Sequence, residues 1–431
     1  MTLKINKFFK LLMSTVILLS LSFLLVGCKK KKFYKYNGEI YDDSYNYKND
    51  YGYKYLEQNN EKAAKKYEEL YLMMVDFSHK DDDVDKKAYK DLFFKYNLKE
   101  DSFTYGELYM AYGYLTCNNP QFFWLDYDIN MITGDCCVGI GEQFIKGEDR
   151  KKFAELLNSE ITKIDKLMEG KEDEFIKINT LSNYIMDNMT YAFNENGQPE
   201  NAQWAHSIVG FFERNYGVCE SYAKVFKLLC DRYEIGNIPV MSDDHIWNLV
   251  EYKNEWYVYD LTFDDDKRNS YVGMTEDVYA DPTHEYIEFL YPLPENKAKT
   301  PLSLGEIALK EDGETIYTSH SMNDIMNHFN NGNYEIVLSA NDNKANAVYY
   351  IDSISDKYTS LTISSNQTED NQVLLYLTRD ISLTKDLTCK NINLKVDKKK
   401  TITLNDNTLR LENTYLSLLI SIDGANVIIT D

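Results

Sequence analysis

Two runs rich in aromatic and branched residues constrain the fold of this chain more than any other stretch. The first covers residues 245–252 and the second covers residues 255–262, with the polar pair Lys253-Asn254 between them. Runs of this composition around a two-residue polar gap predict a β-hairpin. The pairing register of the two strands should then follow from the length of the turn.

The predicted turn determines which side chains share a face of the hairpin. With two residues in the turn, Trp247 lies opposite Asp260. His245 is then the diagonal neighbour of Asp260 on the same face, because strand side chains alternate with a period of two. A turn of odd length would put the two residues on opposite faces. The pattern therefore predicts that the Asp260 carboxylate orients the His245 imidazole.

A cysteine lies upstream of the hairpin at a predicted loop-to-helix junction. Cys219 precedes the apolar run 225–230, so we expect it in the first turn of a helix. The positive end of the helix dipole favours a thiolate there, and a thiolate is the nucleophile that amide-bond chemistry needs. A lone cysteine is more often a buried apolar residue, as we expect for Cys230.

Each candidate residue has an ordinary structural explanation when it is taken alone. A strand histidine often bonds to a carbonyl, and a carboxylate at a hairpin edge is often solvated. A nucleophile, a base and an acid that orients the base form a catalytic triad, whatever their order in the chain. Finding Cys219, His245 and Asp260 in suitable local contexts within one short stretch favours a catalytic site.

Two residues before the predicted helix are secondary candidates for the site. Gln203 is a candidate side-chain donor to the oxyanion of the reaction. His206 is a rival base, although the sequence places no acid to orient it. Downstream, His284 has no assigned role. The acidic run 264–266 invites a calcium interpretation, but no glycine-turn ligand loop surrounds it, and we expect a solvated loop.

At these residues the sequence resembles the transglutaminase-like superfamily in its bacterial branch. The family pattern is a cysteine opening a helix, then His-x-Trp-Asn, then Trp-Tyr-x-x-Asp, which here corresponds to 217–223, 245–248 and 256–260. The resemblance extends from about Phe175 to Asp265, and Ser221 stands where the family usually has glycine.

The resemblance implies a papain-like α+β core with catalytic roles for Cys219, His245 and Asp260. It does not identify the substrate, because the family includes proteases, amidases, acyl transferases and inactive members. Nothing in the sequence marks an amine acceptor site, so we favour hydrolysis of a peptide, protein or cell-wall amide over acyl transfer. The alternative is a non-catalytic surface module that uses the core as a scaffold.

The N-terminus has the pattern of an export signal. Lys4, Lys7 and Lys10 precede the apolar stretch 11–26, which is short for a membrane span. Residues 25–28 resemble a bacterial lipobox, and this resemblance implies cleavage before Cys28 and acylation of its thiol. The alternative is an uncleaved anchor. Either way we expect the body of the protein on the extracytoplasmic face of the cell membrane.

Charge and cysteine usage exclude several classes of partner. The net charge of −22 argues against a nucleic-acid partner and against binding an anionic membrane face. The seven cysteines are irregularly spaced and form a poor disulfide framework. Cys136-Cys137 has no second pair at metal-binding spacing, so we expect ordinary burial. We therefore predict a monomer without metal or other cofactor.

The chain divides into a signal peptide (1–27), a disordered tether (28–59), a helical extension (60–168), the catalytic domain (169–300) and a β-rich domain (301–431). In the extension, apolar spacing predicts helices around 64–74, 92–96, 108–115 and 144–168. The aromatic segment 120–127 should pack on the core, with a carbohydrate-binding platform on Phe122, Phe123 and Trp124 as the alternative.

Beyond residue 300 we expect one short helix at 320–329, followed by many short strands separated by polar gaps. Leu383, Leu404 and Val427 recur at intervals of a little over 20 residues. Such a period suggests a parallel β-solenoid, with a β-sandwich as the alternative.

Overall fold

The computed structural model describes residues 50–78, 80–84, 94–96, 104–132, 135–265, 271–275, 284–285, 293–340, 346–369 and 372–430. The predicted signal peptide, Cys28 and most of the predicted tether lie outside these residues. Within these stretches, the helices are too short or too polar to cross a membrane.

The N-terminal region combines four helices with a small antiparallel sheet. Thr104 accepts from the backbone N–H of Glu107, whose side chain accepts from Thr104 in return, so this capping box sets where the third helix starts. The sheet has the order β1-β3-β2. The elements are α1 (Tyr51–Asn59), α2 (Glu61–Ser78), β1 (Phe94–Tyr96), α3 (Tyr105–Asn118), β2 (Leu125–Ile132), β3 (Asp135–Ile140) and α4 (Gly147–Met168).

The structure corrects two predictions in this region. The tether prediction is wrong for 51–59, which forms helix α1 because Tyr53 and Leu56 are buried in the core. Tyr96 lies in strand β1 and not in a helix. The predicted packing of the aromatic segment is confirmed. Phe122, Phe123 and Trp124 are buried, so they present no carbohydrate-binding platform.

In the central region, the second of two long helices packs on an antiparallel sheet of order β6-β7-β8-β9, and the first packs against the second. The apolar side of the second long helix covers strands β6 and β7. The elements are α5 (Glu174–Asn188), β4 (Thr190–Tyr191), β5 (Tyr216–Gly217), α6 (Cys219–Arg232), β6 (Asn237–Met241), β7 (Ile246–Tyr252), β8 (Glu255–Tyr259), α7 (Leu261–Asp264) and β9 (Val272–Met274).

The hairpin of β7 and β8 has the predicted register. Tyr252 pairs with Glu255, so the turn contains two residues. Lys253 has φ 51° and Asn254 has φ 63°, the positive values that a type I′ hairpin turn requires at both positions. This turn type matches the natural twist of the two strands, and it sets which residues meet at the far end of the hairpin.

The C-terminal region is a large assembly of short strands. Strands β10 and β11 pair antiparallel with each other, and β10 also pairs antiparallel with β12, whereas the later pairs are parallel. The seven-stranded sheet is therefore mixed. Its elements are β10 (Ile307–Glu311), β11 (Glu314–Ser319), α8 (Met322–Asn327), β12 (Gly332–Leu338), β14 (Tyr358–Ser365), β17 (Leu387–Lys390), β20 (Leu409–Glu412) and β23 (Val427–Thr430).

Two further sheets complete this region. One joins β13 (Ala347–Ile351), β15 (Val373–Leu377), β18 (Asn393–Lys395) and β21 (Tyr415–Leu416), and the other joins β16 (Ile381–Ser382), β19 (Lys400–Thr403) and β22 (Ile420–Asp423). The predicted short helix is present as α8, and the sequence pattern missed strands such as β17 and β22.

Two large buried apolar clusters divide most of the described chain, and a small third one consists of Ala192, Ala205 and Val218. One extends from Tyr53 to Leu302 and includes both the N-terminal helices and the central region. The other extends from Ile307 to Leu411. The imidazole of His320 stacks on Phe175 with the ring centroids 3.7 Å apart, which joins the end of β11 to helix α5. Because the first cluster contains residues of both regions, the helical extension and the central region share a single core.

Candidate active site

The hairpin brings His245 and Asp260 together at the end opposite its turn. His245 immediately precedes β7, and Asp260 immediately follows β8. The Nε2 atom of His245 lies 2.6 Å from Oδ2 of Asp260. The other carboxylate oxygen, Oδ1, accepts from the backbone N–H of Phe263 at 3.0 Å and caps helix α7. Asp260 therefore holds the imidazole while the protein backbone holds Asp260.

Cys219 is the first residue of helix α6, and its thiol is close enough to the imidazole of His245 to raise the pKa of that group. Because Nε2 of His245 lies on Asp260, Nδ1 is the ring nitrogen left for the thiol. Cys219 and His245 also line the same cavity, which has a volume of about 580 Å³. The three predicted residues thus lie together in one site, with a direct contact between the imidazole and the carboxylate.

The electrostatics of the pair favour a protonated His245. Burial acts to lower its pKa, but the hydrogen bonds to Asp260 and Cys219 outweigh burial and raise the pKa to about 9. Burial acts to raise the pKa of Asp260, but the hydrogen bonds from His245 and His284 outweigh it, and the pKa is lowered. The geometry therefore stabilises an imidazolium against an ionised carboxylate.

His284 is a site residue to which sequence reasoning gave no role. Its Nε2 atom lies 2.8 Å from Oδ2 of Asp260, the oxygen that His245 also contacts. Its ring meets the edge of Trp247, with centroids 4.6 Å apart. No local pattern around His284 signals this contact, because the residue comes 24 positions after Asp260 in the chain.

The same three side chains form the metal-type cluster found among the described residues. Donor atoms of His245, Asp260 and His284 all lie within 4.8 Å of one another. Both Nε2 atoms are already at hydrogen-bonding distance from one carboxylate oxygen, so the cluster is satisfied by hydrogen bonds alone. We therefore interpret it as an extension of the hydrogen-bonded chain.

The side chain of Gln203 is hydrogen-bonded to the N-terminal region. Its Nε2 atom donates to the carbonyl oxygen of Leu125 at 2.9 Å, and its amide packs against Gly141. This bond directs the Gln203 amide toward the N-terminal region, so the geometry gives no support to the predicted oxyanion role. At the thiol itself, Val218 precedes helix α6 and makes no side-chain cap hydrogen bond to it. The backbone N–H groups in the first turn of that helix are therefore the remaining candidates for the oxyanion donor.

The rival base, His206, has an acid partner that the sequence did not reveal. Its Nδ1 atom lies 3.1 Å from Glu220, and its Nε2 atom lies 3.0 Å from the carbonyl oxygen of Glu200. Our prediction that it lacks an orienting acid is therefore wrong. Both ring nitrogens are nevertheless engaged, so neither is left to accept the proton of Cys219.

The acidic run after the hairpin is not a solvated loop. Asp264 is buried and its Oδ1 atom accepts from the backbone N–H of Tyr271 at 2.9 Å. Asp265 accepts from the hydroxyl of Tyr222 at 2.9 Å. These carboxylates support the turn that follows Asp260, and the third residue of the run lies outside the described chain.

Four cysteines whose side chains the structure describes are free thiols in different environments. Cys230 and Cys389 are buried, and burial raises the pKa of Cys389 to about 12 and that of Cys230 further. Cys117 is partly exposed and lines the same cavity as Cys219. Of these four thiols, Cys219 is the one that contributes to the raised pKa of His245.

The fold and the site define a protein with a cysteine-centred domain of mixed α and β structure. Residues 162–261 match the family model described as "Transglutaminase-like superfamily". The chain therefore carries a transglutaminase-like domain over those residues, which confirms the family prediction made from the motifs.

Comparisons with solved structures and with curated proteins give no further information on function. A solved structure titled "Crystal structure of a TGase" is similar at 14% identity and a TM-score of 0.22, over 31% of this chain and 43% of that chain. The chain thus spans less than half of that protein. No curated protein matches the sequence.

Proposed function

We propose that this protein is a cysteine enzyme that cleaves amide bonds in peptides, proteins or cell-wall material. The observation that carries the proposal is the 2.6 Å contact between His245 and Asp260, together with the position of Cys219 at the start of helix α6 on the same cavity as His245. A thiol, an imidazole and a buried carboxylate linked in this order are what nucleophilic acyl transfer requires.

The reaction begins with the proton of Cys219 on Nδ1 of His245. The thiolate attacks the amide carbonyl carbon, and backbone N–H groups at the start of helix α6 stabilise the oxyanion. The imidazolium donates its proton to the leaving amine, which leaves a thioester on Cys219. His245 then accepts a proton from water, the hydroxide attacks the thioester, and the acid is released as the thiol is restored.

Water is the favoured acceptor, which makes the enzyme a hydrolase. An amine acceptor would give acyl transfer through the same thioester. The sequence marks no amine site, and the described residues give no reason to add one.

We further propose that the enzyme is a lipoprotein on the extracytoplasmic face of the membrane. This rests on the basic start, the apolar stretch and Cys28 in the sequence. In the C-terminal region, the parallel pairing of β14, β17, β20 and β23 supports a β-solenoid, whose role would be to contact the cell surface.

The test compares two thiols that face one cavity. The full-length protein is labelled with a limiting amount of iodoacetamide near neutral pH, and the sites are mapped by mass spectrometry. We expect Cys219 to react at least about tenfold faster than Cys117, because a thiolate is the reactive form. Equal rates at the two cysteines would contradict an activated nucleophile.

Turnover is then measured on a library of peptide and cell-wall amides. Cys219→Ala should abolish cleavage, whereas Cys117→Ala should retain it. If the native protein labels slowly and cleaves no amide, the non-catalytic surface module is the better explanation.

A further inference from the structure

The cavity beside Cys219 is built by two different parts of the chain. One side consists of the start of helix α6 and the segment 241–246, which lead directly to the triad. The opposite side is helix α3 of the N-terminal region. The family match begins at residue 162, so helix α3 lies outside it. A ligand that fills this cavity therefore contacts a wall that lies outside the transglutaminase-like domain.

This wall is mainly apolar and partly open to solvent. It presents Tyr109, Met110 and Tyr112, and across the cavity it faces Met241 and Ile246. Tyr109 remains 51% exposed, so part of this aromatic surface is accessible to a ligand. A volume of about 580 Å³ falls in the range of pockets that bind whole small ligands.

Gly113 keeps the centre of the wall open. A Cβ atom at this position would meet nothing within 4 Å, so any larger side chain would project into empty space. Glycine is among the least favourable residues in a helix interior, and helix stability therefore does not explain it. An open groove opposite the thiol does explain it.

Negative charge borders the groove. Asp243 and Asp244 line the cavity and are exposed. Glu220 also lines it, but its carboxylate already pairs with Lys224 at 2.8 Å. An apolar groove with two exposed carboxylates at its edge complements a bulky apolar group that lies beside a positive charge.

We propose that this groove binds the acyl donor through an aromatic or bulky aliphatic side chain next to the scissile amide, with a basic residue adjacent to it. The assignment rests on the proposed function, because it takes Cys219 as the nucleophile. The groove thus selects peptide-like donors with apolar and cationic character and rejects donors with carboxylates at the same place.

Binding is measured separately from turnover, so that the two proposals can fail independently. The probes are acetyl-Lys-Phe-amide, acetyl-Lys-Gly-amide and acetyl-Glu-Phe-amide, titrated by calorimetry into full-length Cys219→Ala protein. We expect the Lys-Phe probe to bind about tenfold or more tightly than either of the others, because it alone offers both groups. Equal affinity for the three probes, or no binding of the Lys-Phe probe, would overturn the inference.

Substitutions in the same background locate the binding to the groove. Gly113→Leu fills the open space and should weaken the Lys-Phe probe about tenfold, with a smaller loss for Gly113→Ala. Ser159→Leu adds the same side chain to an exposed position on helix α4 and serves as the matched control. The double variant Asp243→Asn and Asp244→Asn should remove the preference for Lys over Glu. Retained affinity in Gly113→Leu would show that the probe binds elsewhere.

Turnover of the Lys-Phe probe by the native protein completes the experiment. If the probe binds in a Gly113-dependent way but its terminal amide is not released, the groove assignment stands and the proposed hydrolysis fails. If the probe is cleaved and Gly113→Leu leaves kcat/KM unchanged, the enzyme assignment stands and the groove assignment is wrong. Iodoacetamide labelling of Cys219 in Gly113→Leu confirms that the thiol remains accessible to a small reagent.

Discussion

The Nε2 atom of His284 lies 2.8 Å from the Oδ2 atom of Asp260. That oxygen is also the one that holds His245, so one buried carboxylate oxygen receives two imidazoles. The backbone N–H of Phe263 donates to the other carboxylate oxygen, so three hydrogen-bonding contacts restrain Asp260. The orientation of the base therefore depends on a residue that does not itself contact the thiol.

We predict that His284→Ala lowers kcat/KM about tenfold and moves the acidic limb of the pH–rate profile upward. The carboxylate of Asp260 loses one of the hydrogen bonds that lower its pKa, while its burial remains. His284→Gln, which keeps an N–H donor, should recover part of the loss. A profile in His284→Ala that matches the parent would show that the contact does not support the site.

Asp260→Asn should lower turnover about a hundredfold, equivalent to about 2.7 kcal/mol. The amide cannot stabilise the imidazolium of His245, although the thiol and imidazole can still form an ion pair. The matched control is Asp264→Asn, since its amide oxygen can still accept from the Tyr271 N–H. Thermal melts of both variants exclude unfolding. Equal losses in the two variants would mean that Asp260 acts only as a structural carboxylate.

Activity should fall on the alkaline side with a midpoint near the His245 pKa of about 9. Above that pH the imidazolium that donates its proton to the leaving amine is lost. In Asp260→Asn the midpoint should move to lower pH, because the hydrogen bond to Asp260 is a main cause of the raised pKa. The measurement is kcat/KM against pH for both proteins, and an unshifted midpoint in the variant would contradict the assignment.

The same pair should make folding stability depend on pH. The folded pKa of His245 is raised from 6.5 to about 9, so its contribution is full below 6.5 and disappears as the pH rises through 9. The folded pKa of Asp260 is lowered, so its contribution is present above the unfolded value of about 3.9 and disappears as the pH falls through the folded pKa. Urea unfolding across this range should give a flatter alkaline slope for His245→Gln than for the parent.

Cys28→Ser should abolish incorporation of a lipid label and release the protein from the membrane fraction. Several acyl chains hold a mature lipoprotein firmly, whereas an unacylated body lacks that attachment. The measurement combines metabolic lipid labelling with fractionation and mass of the product. A variant that stays on the membrane at its unprocessed mass would identify the segment as an uncleaved anchor.

The relation between His245 and Asp260 was predictable because it depends on local rules. The turn at Lys253-Asn254 has a fixed length, and strand side chains alternate, so the faces follow from the sequence. The position of Cys219 at a helix start was also a local signal. These features need no knowledge of how distant segments pack.

The contacts that the sequence did not predict are those between segments with no shared pattern. His284 meets Asp260 through tertiary packing. Gln203 donates a hydrogen bond to the carbonyl oxygen of Leu125, which lies 78 residues earlier in the chain. The sequence predicted a tether at helix α1 because tyrosines also occur in polar linkers. The burial of Tyr53 in the core becomes evident only in the folded structure. In the C-terminal region, strands as short as β22 carry too few residues to establish a period.

The single core that joins the N-terminal helices to the central sheet has a consequence for how such a protein can diversify. The reacting groups lie on helix α6 and the hairpin, whereas the wall opposite them belongs to helix α3. Exposed residues of helix α3 can therefore be substituted without altering the proposed reacting groups. Each substitution changes the surface that a bound substrate would contact. The same shared core prevents the two parts from being inherited separately. A recombination event that cut the chain at residue 162 would divide helix α4 and separate the two halves of the shared buried cluster.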